Sequence, residues 1–117
     1  MTTYTILHNP RCSKSRATLQ LLLENNIQPT VIEYLKTPIT TEELNLILKK
    51  LNRSARDCMR KNEPLFKEKC LNNPDITEEE LVEHMSNHPI LIERPIVYTE
   101  NHAIIGRPPS NVLTLLS

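Results

Sequence analysis

The spacing of apolar positions changes several times along the chain, and each change marks an element. Tyr4 to Leu7 is a short apolar and β-branched run closed by the turn residues His8-Asn9-Pro10, which predicts a first strand. From Ser13 to about Glu24, Leu19, Leu22 and Leu23 recur at helical spacing, which predicts an amphipathic helix with these leucines on its inner face. Thr30-Val31-Ile32-Glu33-Tyr34 reads as a second strand. Strand, helix and strand in so few residues make a βαβ unit, with parallel strands and a helical crossover.

The middle of the chain reads as helical. Thr40-Thr41-Glu42-Glu43 has the form of a capping box with Thr40 as N-cap, and Leu44, Ile47, Leu48 and Leu51 then line one face. Ser54 is placed to cap a short second helix carrying Arg56, Cys58 and Arg60. Thr77-Glu78-Glu79-Glu80 repeats the box ahead of Leu81, Val82 and Met85, and His88-Pro89 ends that helix. Arg94-Pro95-Ile96-Val97-Tyr98 leads into a strand, Glu100-Asn101-His102 turns the chain, and Ala103-Ile104-Ile105 returns as the second arm of a hairpin. Gly106, the only glycine, marks a bend or a close backbone approach. Ser110 is predicted to cap a closing helix through Leu116. This order predicts an α/β thioredoxin-like fold: a mixed four-stranded sheet with a helical insert between strands 2 and 3.

The 117 residues fit one domain spanning 1–117, enough for a core without disulfide staples. Formal net charge is zero, so no general basic field draws nucleic acid or a membrane surface, and function must rest on local charge. Aromatic content of 3% argues against a base-stacking nucleic-acid module. No signal peptide is read, and no apolar run approaches the ~20 residues needed to cross a bilayer. Cys12, Cys58 and Cys70 form neither a CxxC nor a zinc-ligand pattern. A reducing, cytoplasmic setting and a monomer are expected. Cys58 and Cys70 read as packing residues.

Cys12 is the candidate nucleophile. It follows the first turn and opens the first helix, where unpaired N–H groups and the helix dipole favour a thiolate. Arg11, Lys14 and Arg16 add positive charge, and no Asp or Glu precedes Glu24. Such settings lower a cysteine pKa from ~8.5 to roughly 3.5–7.5. The substrate expected of such a thiolate is an anion. His8, four residues earlier across the turn, is placed either to bond backbone or to help ionise Cys12.

His8-Asn9-Pro10-Arg11-Cys12-Ser13-Lys14-Ser15-Arg16 resembles the opening of the glutaredoxin-coupled arsenate reductase family. Met59-Arg60-Lys61, His88-Pro89-Ile90-Leu91-Ile92-Glu93-Arg94-Pro95-Ile96-Val97 and Ile105-Gly106-Arg107-Pro108-Pro109 resemble its later segments at compatible spacing. The resemblance implies that Cys12 attacks arsenate and that His8 supports thiolate formation. It implies that Arg60, Arg94 and Arg107 hold the oxyanion and that Pro95 is cis. It further implies a thiol–arsenate adduct, glutathione as co-substrate, glutaredoxin as partner and no tightly bound cofactor or metal. The chemistry agrees, because arginine forks offer paired N–H donors to a tetrahedral oxyanion and a helix N-terminus offers more.

Ser15 stands where a second thiol would sit, so no dithiol cycle operates within the loop. A phosphatase-type loop, cysteine then five residues then arginine, is excluded because Thr18 holds that arginine position. Two other readings remain: a thiol oxidoreductase of the same fold acting on another substrate, and a regulator docking on RNA polymerase.

Overall fold

A computed structural model describes residues 2–116. The elements run β1 (Thr5–Leu7), α1 (Ser13–Glu24), β2 (Thr30–Ile32), α2 (Thr41–Leu51), α3 (Pro64–Glu68), α4 (Glu78–Asn87), β3 (Ile96–Tyr98) and β4 (Ala103–Ile105). Shorter 3-10 helices cover Arg56–Cys58, Pro89–Leu91 and Pro109–Leu115. The chain divides into two compact units: one takes the segments up to Thr37 and from Arg94 onward, the other is Pro38–Glu93. The second unit is the helical insert expected between strands 2 and 3.

In the first unit the strands order as β2-β1-β3-β4. β1 runs parallel to β2 and antiparallel to β3, and β3 pairs antiparallel with β4. This is the mixed sheet of a thioredoxin-like fold. The register sets Ile6 opposite Val97, and both are fully buried with Leu22 of α1 and Val112 of the closing 3-10 helix. Successive strand residues alternate faces, so Leu7 and Ile96 turn to the other side of the sheet, where both are buried as well.

The inner line of α1 differs from the leucine stripe expected. Ser15, Thr18 and Leu22 are its buried residues, while Leu19 is only half-buried and Leu23 is exposed. Two polar side chains fit there because their hydroxyls are bonded. Thr18 Oγ1 donates to the Lys14 carbonyl at 2.8 Å, and Ser15 is engaged in the loop described below. A helix line follows packing and hydrogen bonding together, and leucine spacing reports only the first. Gly106 is a close-approach glycine: a Cβ added there would lie 2.5 Å from Thr18 Oγ1 and 2.8 Å from Pro95 Cγ. The closing segment is a 3-10 helix that begins at Pro109 with Pro108 at its cap, so Ser110 lies inside it and does not cap it.

In the second unit the two predicted caps form. Thr40 Oγ1 accepts from the Glu43 N–H at 3.1 Å, and Thr77 with Glu80 completes a reciprocal capping box. Leu44, Ile47 and Leu48 of α2 and Leu81, Val82 and Met85 of α4 are buried, and these two helices pack together. Ser54 does accept from the Asp57 N–H at 3.3 Å, but the turn it opens ends at Cys58. Met59 is extended and bridges Ile92, so Arg60 lies beyond that turn and not inside a helix. Helix α3, with Pro64 in its first turn, was not foreseen. Cys58 is fully buried, as a packing residue should be. Cys70 is exposed, at φ 53° just past α3, and does not pack. Among the described residues no helix is long and apolar enough to cross a membrane.

Candidate active site

Cys12 is the N-cap of α1, with extended backbone at φ −94° and ψ 122°. The loop before it is tied down bond by bond. The Cys12 N–H donates to the Asn9 carbonyl at 3.0 Å, and the Arg11 N–H donates to Asn9 Oδ1 at 3.0 Å. Arg16 Nη1 reaches back to the Pro10 carbonyl at 2.9 Å. No acidic residue stands in the first turn of α1.

The Cys12 sulfur is buried, and burial by itself opposes ionisation. Against it stand the backbone N–H groups of Ser15 and Lys14 and the charges of Arg94 and Arg107. Together they outweigh burial and hold the thiol below its ordinary value. The neutral thiol makes no capping hydrogen bond of its own; the same N–H groups act on the anion, as expected at a helix N-terminus. The charges that lower the Cys12 pKa are those of Arg94 and Arg107, both remote from it in sequence.

Two of the three predicted arginines gather at Cys12. Arg107 Nη2 lies 3.8 Å from Cys12 Sγ, and Arg107 Nε donates to the Arg94 carbonyl at 2.7 Å. The second bond locks the two arginine segments to one another. Arg94 is half-buried, and its Nε and Nη1 are buried without a hydrogen-bond partner. Buried charged donors are rarely left unpaired, because each forfeits its water. The Arg94–Pro95 peptide is cis, as expected, and so is Arg107–Pro108, which was not expected. Arg60 belongs to the second unit. There its N–H donates to the Leu91 carbonyl at 2.7 Å, and its guanidinium pairs with the Glu63 carboxylate.

His8 is buried at the end of β1, its N–H bonded to the Ile32 carbonyl at 2.8 Å. Its Nδ1 is 2.7 Å from Ser15 Oγ. That oxygen already accepts from the Asn9 N–H at 3.0 Å, so its single proton is available to His8 Nδ1. This bond ties the imidazole to the first turn of α1 whichever partner donates. Burial lowers the His8 pKa below 6.5, opposed by Glu33 and reinforced by Arg16. His8 is thus neutral near pH 7, and its connection to Cys12 runs through Ser15. A cleft of about 240 Å³ lies on the other side of the loop, between His8, Pro10 and Arg11 and the segment Glu33–Lys36; Cys12 does not line it.

A sheet of this order, with a low-pKa thiol at the start of its first helix and no second thiol in the loop, defines a single-thiol protein of thioredoxin-like fold. The chain belongs to the ArsC family, whose profile matches residues 7–115. It is 49% identical to the uncharacterized protein YfgD of Escherichia coli K12, with 95% of this chain and 94% of that protein covered. It is 46% identical to an arsenate reductase of Neisseria meningitidis serogroup A, with 95% and 96% covered. Among solved structures it superposes on an arsenate reductase from Vibrio cholerae with a TM-score of 0.94 at 44% identity, covering 97% of each chain.

The backbone N–H groups of Ser15 and Lys14 are the helix-end donors that sequence reasoning anticipated, whereas the Ser15 hydroxyl was missed as a contributor. The signal for Ser15 was present: a polar residue on the buried line of a helix.

Proposed function

We propose that the protein reduces arsenate to arsenite, with glutathione and glutaredoxin as reductants and Cys12 as nucleophile. The observation that carries this reading is a stabilised thiolate with Arg107 Nη2 3.8 Å from its sulfur and the charge of Arg94 acting on it. A tetrahedral oxyanion presents several acceptor oxygens at once, and planar guanidinium groups match them.

In this reading Arg94 and Arg107 hold arsenate over Cys12, and Arg60 is assigned to the same anion from the family resemblance. The Cys12 thiolate attacks arsenic, an As–O bond breaks, and the oxygen leaves as water after taking up protons. Arsenic remains pentavalent in this thiol–arsenate adduct. Glutathione replaces a second oxygen, again with loss of water, and forms an As–S bond. The glutaredoxin thiolate then attacks the glutathione sulfur. The As–S pair of electrons stays on arsenic, which becomes trivalent, and glutaredoxin and glutathione leave as a mixed disulfide. Water finally cleaves the remaining Cys12–arsenic bond, releasing arsenite and the thiol. The protein supplies a low-pKa nucleophile and fixed positive charge for the anionic states. A cytoplasmic, reducing location follows from a cycle that ends in a free thiol.

The test is arsenate-dependent NADPH oxidation with glutathione, glutaredoxin and glutathione reductase. Turnover by the wild type that disappears in Cys12→Ser is the expected result. No turnover in the wild type with all components active overturns the reading.

A further inference from the structure

We propose that Ser15 is a positioning residue for the nucleophile: one buried hydroxyl pins both Asn9 and His8 to the first turn of α1 and so fixes Cys12 against its backbone donors. This deepens the reading of Cys12 as a working thiolate and rests on it.

The geometry is specific. Ser15 is fully buried, yet its oxygen is saturated by partners from outside the helix: the Asn9 N–H at 3.0 Å and His8 Nδ1 at 2.7 Å. His8 is in turn fastened through its own N–H to the Ile32 carbonyl at 2.8 Å. The hydroxyl therefore joins the end of β1, the loop and α1 at one point. Asn9 also receives the Cys12 N–H on its carbonyl and the Arg11 N–H on its side chain, each at 3.0 Å. Holding Asn9 thus holds the backbone of Cys12. The Ser15 N–H is itself one of the two backbone donors that favour the Cys12 anion.

Ser15 occupies the position at which a dithiol protein of this fold carries its second cysteine. Here that position has exchanged a redox function for a structural one. A sulfur at the same place is a weak acceptor for the Asn9 N–H and a weak donor to imidazole. The charged or titratable groups that face the network are Arg94 and Arg107 at Cys12, and Glu33 and Arg16 at His8. The hydrogen bonds of the Ser15 hydroxyl are to Asn9 and His8.

The test reads the thiolate directly and needs no arsenate. Cys12 alkylation by iodoacetamide is followed from pH 5 to pH 9 in a Cys70→Ser background, since Cys70 is exposed and would react as well, whereas Cys58 is fully buried. Ser15→Ala, His8→Gln and the double variant are compared, with far-UV circular dichroism to establish that each is folded. Ser15→Ala keeps a good helix former at that position, so the fold should persist. The expected result is a Cys12 profile moved to higher pH, with the rate near pH 6 falling on the order of tenfold. The double variant should lose less than the two single losses combined, because both side chains act through one bond. An unchanged profile in folded Ser15→Ala, or fully additive losses, overturns the proposal. A wild-type Cys12 that titrates as an ordinary thiol would instead overturn the underlying reading, so the two failures are distinct.

Discussion

Gly106→Ala tests the packing that sets Arg94 and Arg107 beside Cys12. A Cβ at position 106 would meet Thr18 Oγ1 at 2.5 Å, Pro95 Cγ at 2.8 Å and Thr18 Cγ2 at 3.1 Å. Thr18 is not free to rotate away, because Oγ1 donates to the Lys14 carbonyl at 2.8 Å. The Pro95 ring can move Cγ only by changing its pucker, a small displacement beside a backbone fixed at both ends. In open space alanine would stabilise by about 0.4–1 kcal/mol through the unfolded chain, and Gly106 has no positive φ to forbid it. Overpacking of this kind costs about 1–3 kcal/mol, so the net loss should be about 1–2 kcal/mol. Denaturant unfolding gives that value directly, and a thermal melt should fall by roughly 3–8 °C for a domain of this size. Thr18→Ala with Gly106→Ala removes two of the three close contacts and leaves Pro95, so it should recover part of the loss. The residues on either side of the clash, Arg94 and Arg107, should also shift, and arsenate turnover should fall by about ten- to a hundredfold. A Gly106→Ala protein as stable as the wild type would refute the argument. Full recovery by the Thr18 change would refute the Pro95 contact.

Alkylation of Cys12 should remain fast well below pH 8 and decline only as pH falls through its lowered pKa; a profile centred on the ordinary thiol value would contradict the balance of burial, backbone N–H groups and arginines. Arg107→Lys keeps the charge but loses both the bond to the Arg94 carbonyl and the planar fork, and kcat/KM for arsenate should drop by about ten- to a hundredfold; activity within twofold of wild type would show that charge alone suffices. Cys70→Gly should stabilise by up to about 1 kcal/mol, because Cys70 holds φ 53° while exposed and glycine takes that conformation without strain; a measurable loss by denaturant unfolding would argue against the left-handed backbone.

The sheet was legible because each strand carries its own apolar signal and the turns between them are marked by His8-Asn9-Pro10 and Glu100-Asn101-His102. Both threonine caps were legible because a cap is a local interaction spanning three residues. The error at α1 had the opposite origin. Leucine spacing suggested the inner face, but Ser15 and Thr18 take the buried line because each hydroxyl has a partner, His8 and Asn9 across the loop for Ser15 and the Lys14 carbonyl one turn back for Thr18. Arg60 could not be placed from spacing, since the Met59–Ile92 bridge that ends its turn is a long-range contact. At the site, Cys12 was legible from local features. The arginines that act on it were not those beside it in sequence, and only the family resemblance pointed to Arg94 and Arg107. Ser15 was read as a missing cysteine, because a sequence shows what a residue replaces before it shows what it bonds.

The forces on Cys12 divide into two sets with different duties. Backbone donors from Ser15 and Lys14 are fixed in the helix and favour the anionic sulfur. Arg94 and Arg107 favour the same thiolate, yet Arg94 also holds two buried N–H groups in reserve. A thiolate and an oxyanion repel each other, and an encounter between them needs positive charge that both can share. If arginine charge were the sole support of the thiolate, a bound anion would neutralise that support and return the sulfur to its protonated, unreactive form. The backbone donors prevent this, because their dipoles do not move when the anion arrives. On the proposed function the arginines are shared with the oxyanion, while the helix end keeps the sulfur ionised. The tight loop, the Ser15 hydroxyl and the glycine at 106 all serve this division: they hold the helix's backbone donors and the two arginine segments close to one sulfur.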